Sequence, residues 1–308
     1  MNERCSPVKE RFGADCLLDL PASVFTTYRA GGCVDAVVKP SSRGDLAWLR
    51  GFCAENKIPF LALGAGSNIL VSDKGFKGIC ALTLKLDKIS VSGLTLAAEA
   101  GALWDNAVKA AIGAGLAGLE KTSGIPGTVG GAVFMNAGAF GQETFDHLES
   151  FEVMDRSGAV STLKKSGVRY GYRKVEGLEG LTVLGALFRL QNGDKKDLDA
   201  DRGRVLGQRA EKQPLDLPSA GSVFKRPPGD FASRLIDASG LKGLRIGGAQ
   251  VSEKHAGFIV NRGAATASDI YALMKKVRAE VKAKTGADLE LEQVLLGEFE
   301  GTVYGIPG

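Results

Sequence analysis

The run Gly124-Ile-Pro-Gly-Thr-Val-Gly-Gly-Ala-Val-Phe-Met-Asn-Ala-Gly-Ala-Phe-Gly141 constrains the fold more than any other part of the chain. It holds six glycines, yet it is still largely apolar. Glycine weakens helices and strands alike, so the run is expected to form neither in regular fashion. Its composition suits close approach of backbone to a large flat cofactor.

A second glycine stretch, Gly64-Ala-Gly-Ser-Asn68, has a clearer local context. Val34-Asp-Ala-Val-Val38 reads as a strand. Ser41 or Ser42 is placed to cap a helix over about 44–56, with Leu46, Leu49 and Cys53 on one face. Ile58 to Leu63 reads as the next strand of a βαβ unit and runs straight into Gly64. A glycine loop at the carboxyl end of such a strand is where phosphates usually sit. Gly127-Thr-Val-Gly-Gly131 offers similarly unshielded N–H groups, and two such loops can grip a pyrophosphate from both sides. Either loop taken alone reads as ordinary turn chemistry. Neither fits GxGxxG or GxxxxGK[ST], so the dinucleotide-binding crossover and the P-loop are set aside.

Short strands are expected within 78–84, 89–91 and 94–98, a helix over 103–116, and strands near 150–163 and 181–190. The charged stretch 193–203 opens a helix running towards Gln213, and a domain boundary is placed near 195. A helix is expected at about 233–238. The clearest amphipathic helix spans about 268–285, with Ile270, Leu273, Met274, Val277 and Val281 on one face, Thr266 or Ser268 as cap and Gly286 as stop. Leu289-Glu-Leu-Glu292 reads as a strand whose two glutamates share a face.

Composition excludes several function classes. The net charge of +4 over 308 residues is too small and dispersed for a nucleic-acid partner, though it is compatible with an anionic small molecule. No apolar run is long enough to span a membrane, and the N-terminus lacks an apolar signal core; a cytoplasmic monomer is expected. The five cysteines all lie in the first third without CxxC spacing, and only His147 and His255 are present. A metal site and a Ser-His-Asp triad are therefore poorly supported.

Three further places carry chemistry. Residues 213–228 form a stiff Pro/Gly-rich loop that sets Ser222 directly after a glycine, with Lys225 three residues on. A hydroxyl held beside a positive charge suits proton delivery to an anionic substrate. Tyr170-Gly-Tyr-Arg173 reads locally as a surface strand end, although an arginine there can hold a carboxylate. Either Glu290 or Glu292 is able to reach a cleft, and local pattern does not choose between them.

Together these stretches resemble the UDP-N-acetylenolpyruvoylglucosamine reductase family. The matching pieces are Thr26-Thr-Tyr-Arg-Ala-Gly-Gly32, residues 63–73, residues 124–139, Tyr172-Arg173, Ala220-Gly-Ser-Val-Phe-Lys225, residues 247–261 and Leu289-Glu-Leu-Glu292, in the family's order over about residues 20–300. The resemblance implies an α+β fold: a two-lobed FAD-binding domain of the vanillyl-alcohol-oxidase (PCMH) type over 1–195, its lobes split near 73, then a smaller α+β substrate-binding domain over 196–308, whose last residues are free to return to the first lobe. It implies non-covalent FAD held by Gly64, Ala65, Gly66, Ser67 and Asn68 and by Gly124, Ile125, Pro126, Gly127, Thr128, Gly130, Gly131 and Ala132. It assigns proton donation to Ser222, with Arg173 and Glu292 assisting, and substrate contacts to Tyr172, Lys212 and Lys225. The implied activity is NADPH-dependent reduction of UDP-N-acetylglucosamine enolpyruvate in peptidoglycan precursor synthesis. Arg226 stands where many members have asparagine, and Leu291 replaces a common proline. No long insertion separates Arg173 from Ser222, as in the shorter of the family's two types, which lacks a substrate-covering tyrosine loop.

Two other readings compete. An alcohol or hydroxy-acid oxidase of the same flavin fold often tethers its flavin through an N-terminal histidine, and this chain has none before His147. A non-catalytic nucleotide-binding module has no need of Arg173, Ser222 and Glu292 together.

Overall fold

Cys33–Val38 is buried at five of its six positions, as a strand covered on both faces must be. In this computed structural model, which describes residues 3–305, it lies inside a four-stranded sheet. The order is Cys16–Pro21, Cys33–Val38, Phe76–Leu82, Phe60–Leu63; the first pair is antiparallel and the others parallel. Ser42 Oγ accepts from Asp45 N at 3.0 Å and starts the helix Arg43–Glu55, which buries Leu46, Leu49 and Cys53 against the sheet. The expected βαβ unit is present, but its crossover skips a place: Phe76–Leu82 sits between the two strands it connects. This corrects the lobe split near 73. Residues 72–75 are a turn, with Gly75 at φ +76°, that returns the chain into the same sheet. The passage to the second lobe follows Leu82.

The second lobe is an antiparallel sheet in the order Val160–Lys164, Leu148–Met154, Thr182–Arg189, Thr95–Glu99, Ile89–Ser92. The strand expected over 150–163 is thus two strands, joined by a turn in which Asp155 Oδ1 accepts from the N–H groups of Ser157 and Ala159. The helices Trp104–Gly113 and Val129–Met135 cover one face, sharing a core with Phe151 and Phe188. The second of these overturns the expectation for the glycine run. Thr128 caps it, Asn136 at φ 42° ends it, and Val129, Ala132 and Val133 are buried. Gly130 is what allows this packing: a Cβ there would lie 2.8 Å from Ala100 Cβ. Tertiary burial therefore outweighs the roughly 1 kcal/mol that each helical glycine costs.

The helix Lys195–Lys212 belongs with this second lobe. Leu198 joins its core, and Arg202 grips Asp105 with two bonds of 2.7 Å. The boundary placed near 195 therefore moves to about 213.

The remaining unit holds the strands Arg245–Ile246, Ala249–Val251 and Ile259–Asn261 with the helices Ala232–Ala238 and Ala267–Thr285. Thr266 and Asp269 form a capping box on the long helix, worth about 1 kcal/mol, and Gly286 at φ +76° ends it. Leu289–Glu292 is not a strand: Leu291 alone makes an isolated antiparallel bridge, to Phe224. The chain then returns to the first lobe, where Val294–Phe299 pairs parallel with Ile69–Val71. Tyr28, Ala30 and Leu70 accordingly share a core with residues 220–299. Among the described residues no helix is long and apolar enough to cross a membrane.

Candidate active site

The two glycine loops touch. Ser67 Oγ donates to Pro126 O at 3.0 Å, and any Cβ on Gly64 would collide with Thr128 Oγ1. The loop 64–68 is held through its carbonyls: Thr27 N donates to Gly66 O at 3.1 Å and Val294 N to Asn68 O at 3.0 Å. Among the described residues no protein acceptor takes the N–H groups of Ala65, Gly66, Ser67 and Asn68. They border a cavity of about 760 Å³, within the usual range for a small-molecule site. Gly64, Ala65, Gly66, Ser67, Asn68, Ile125, Pro126, Gly127, Thr128, Gly130, Gly131 and Ala132 all line it. Gly124 does not; its N–H is bound to Asp105 Oδ1 at 2.9 Å. A cradle of unpartnered N–H groups beside a mostly apolar cavity fits a pyrophosphate joined to flat rings.

A second cavity, of about 490 Å³, adjoins the first. Ser222, Arg173 and Glu292 line both. Each is placed by a different part of the fold. Ser222 bridges to Phe258, Val223 N donates to Gly257 O at 2.9 Å, and the carbonyls of Ala220 and Gly221 accept from Gln293 Nε2. The loop is thus fixed on both sides of the serine. Among the described residues nothing binds the Ser222 hydroxyl.

Arg173 has left-handed backbone, φ 55°, a conformation that costs an L-residue about 1–3 kcal/mol. Its side chain shows what holds it there. Nε donates to Glu292 Oε1 at 2.6 Å, Nη2 to Gly138 O at 2.8 Å and Nη1 to Asn136 O at 3.4 Å. The pair is nearly enclosed, the side chains of Arg173 and Glu292 being 16% and 13% exposed. Glu292 N donates to Val223 O, and Glu292 O accepts from Asn68 Nδ2. One residue therefore ties the serine loop, the first glycine loop and Arg173 together. The other glutamate of the motif, Glu290, points away and pairs with Lys225 Nζ, being 73% exposed.

Tyr172, Lys212 and Lys225 line neither of these two cavities. Lys225 is occupied by Glu290. Tyr172 lies with its ring 4.8 Å from the Arg173 guanidinium and 5.6 Å from that of Arg226. Lys212 is exposed at the end of its helix. The cations that do line the second cavity are Arg29, Arg173 and Arg209. Arg209 was not expected there. It is buried, among the described residues its Nε has no partner, and burial pulls its pKa down while Asp105 opposes the shift. Its signal was periodicity: Arg209 stands eleven residues after Leu198 and four after Val205, on the one buried face of a charged helix.

Neither histidine lines either of these two cavities. Cys53 lines the first, with its thiol pushed up to about 12 by burial. Among the described residues no cluster of metal-binding side chains exists.

Comparison with known proteins follows this geometry closely. Residues 34–164 match the family model described as FAD binding domain, and residues 213–296 match that of the UDP-N-acetylenolpyruvoylglucosamine reductase C-terminal domain. The UDP-N-acetylenolpyruvoylglucosamine reductase of Clostridium beijerinckii is 45% identical over 91% of this chain and 93% of its own length. That of Streptococcus pneumoniae is 44% identical over 93% and 95%. The crystal structure of the Thermus caldophilus reductase superposes with a TM-score of 0.78 at 34% identity, covering 91% of this chain and 97% of that one.

Proposed function

The chain belongs to the UDP-N-acetylenolpyruvoylglucosamine reductase family, and on that premise we propose that it reduces UDP-N-acetylglucosamine enolpyruvate to UDP-N-acetylmuramate with NADPH, in cytoplasmic synthesis of peptidoglycan precursors. One observation carries this reading: Ser222, Arg173 and Glu292 line the cavity suited to FAD and the adjoining cationic cavity at once.

FAD would be held in the larger cavity, where it would supply the hydride chemistry that links NADPH to the enolpyruvyl methylene carbon. The N–H groups of residues 65–68 and the loop Pro126–Thr128 would hold its pyrophosphate. As hydride reaches the methylene carbon, the double-bond electron pair moves to the neighbouring carbon and its carboxylate. Arg173 has five N–H donors, of which three are engaged within the protein. The others are available to that developing charge. Ser222 Oγ–H gives its proton to the carbon bearing the charge and regains one from solvent. In the second cavity Arg29 and Arg209 suit a diphosphate. NADPH and the sugar nucleotide then use this cleft in turn.

The test is a two-step titration without oxygen. NADPH should bleach the yellow protein, and UDP-N-acetylglucosamine enolpyruvate should restore the colour. Bleaching that the sugar nucleotide does not reverse would point to a different flavoenzyme of this fold, and failure to bleach would point to a binding module.

A further inference from the structure

Gln293 lines neither cavity, yet its side chain binds the two peptide carbonyls that directly precede the serine. It follows Glu292 directly and is 4% exposed. Its Oε1 accepts from the Tyr28 hydroxyl at 2.9 Å, and its Nε2 donates to Ala220 O at 2.9 Å and Gly221 O at 3.1 Å. The two carbonyls can only accept, so the amide has one workable orientation, and the tyrosine proton falls to Oε1. Tyr28 is fully buried, and its own carbonyl accepts from Asn261 Nδ2 at 3.0 Å. Gly221, at φ +76°, has open space where a side chain would stand. With no side chain there to pack, the Gln293 amide bonds are what restrain the loop on the near side of Ser222, as the Phe258 bridge and the Val223–Gly257 bond do on the far side.

We infer that Gln293 is a positioning residue for proton delivery: it fastens the peptide units before Ser222 to the segment carrying Glu292, with Tyr28 fixing its amide. The inference rests on the reading of Ser222 as proton donor. A displacement of about 1 Å at a reacting group is enough for losses near 10²-fold, so two bonds at the preceding carbonyls are well placed to matter.

The test separates the half-reactions by stopped flow in Gln293→Met, Tyr28→Phe, Ser222→Ala and the double variant Ser222→Ala/Gln293→Met. Gln293→Met should retain flavin and be reduced by NADPH within about twofold of the parent. Reoxidation by the enolpyruvyl substrate should slow about 10- to 100-fold, with little change in KM and a larger solvent isotope effect. Tyr28→Phe should show the same pattern more weakly. Added to Ser222→Ala, the Gln293 change should cost less than about twofold more, because both act on one proton. If Ser222→Ala slows reoxidation and Gln293→Met does not, or if the two losses multiply, the positioning inference is wrong and the serine assignment survives. If Ser222→Ala changes nothing, the serine assignment itself has failed, and the inference with it. Should Gln293→Met not fold, Gln293→Glu decides. Its protonated carboxyl can donate to one carbonyl and accept from Tyr28, whereas the ionised form cannot donate. Reoxidation should recover as pH is lowered, relative to the parent; a deficit independent of pH overturns the inference.

Discussion

Arg173 and Glu292 form an ion pair, Nε to Oε1 at 2.6 Å, across 119 residues of sequence. The pair joins the second lobe to the segment that returns the chain to the first. A planar fork serves it, because the same guanidinium also donates to the carbonyls of Asn136 and Gly138. Lysine cannot reproduce three such bonds. Arg173→Lys and Glu292→Gln should each slow substrate-driven flavin reoxidation by about 10²- to 10³-fold, with flavin content unchanged. The double variant should be little worse than either single one. Stopped-flow traces check this, and losses that simply multiply would mean that the two residues act separately.

Gly130 and Gly131 should fail in different ways. Neither has positive φ, so backbone strain is not the issue. A Cβ on Gly130 would press on Ala100 at 2.8 Å, whereas on Gly131 it would meet nothing nearer than Thr128 Oγ1 at 3.7 Å and would stand in the cavity. Gly130→Val should lower the melting temperature of the flavin-free protein, an overpacking effect of about 1–3 kcal/mol. Gly131→Val should melt normally without flavin and bind FAD poorly. Full flavin content in folded Gly131→Val would show that the helix start does not face the cofactor.

How much of this was legible beforehand can be read off particular residues. The Ser42 cap, the Thr266 box and the Gly286 stop are local chemistry, and the helices they bound were recognisable from spacing. The helix Val129–Met135 was not, because its stability comes from burial against the strand Thr182–Arg189 and, to a lesser extent, Thr95–Glu99, which no local window contains. The central place of Phe76–Leu82 was hidden for the same reason: parallel pairing joins segments far apart in sequence. At the site, Arg173 reads locally as a surface residue. Only the long-range pair with Glu292 and the two carbonyls accounts for its left-handed backbone. Arg209 carries only the faint signal of its spacing from Leu198 and Val205, and Gln293 becomes visible only when burial is known.

Acid should loosen the glycine run before the whole chain. Asp105 is held down to about 2 by the Arg202 fork first, and also by the Gly124 N–H. Its folded pKa lies below the unfolded value of 3.8, so its contribution is complete above that value and is lost as pH falls from about 4 towards 2. Allowing for solvent screening, it is worth about 1 kcal/mol. Flavin fluorescence should rise over that window. Asp105→Asn should be less stable at pH 7 and should lose most of this pH dependence in urea titrations. An unchanged profile would place the acid sensitivity elsewhere.

The flavin should be bound without a covalent link. No histidine lines the larger cavity, and the one cysteine there, Cys53, has its thiol pushed up to about 12, leaving almost no thiolate to attack a flavin. Acid precipitation should leave a white pellet and all the flavin in solution. Colour in the pellet would contradict this.

The central claim is that Ser222 delivers the proton. Its loop is pinned on both sides, its hydroxyl is unbound among the described residues, and it lines both cavities. The most direct measurement is stopped flow on Ser222→Ala, following the two half-reactions separately. Reduction of the flavin by NADPH should be almost unchanged, since it needs no proton from this residue. Reoxidation by UDP-N-acetylglucosamine enolpyruvate should slow by at least ~10²- to 10⁴-fold, the usual scale for a positioned acid. Equal losses in both steps would make Ser222 structural, and unchanged reoxidation would mean that the proton comes from another source.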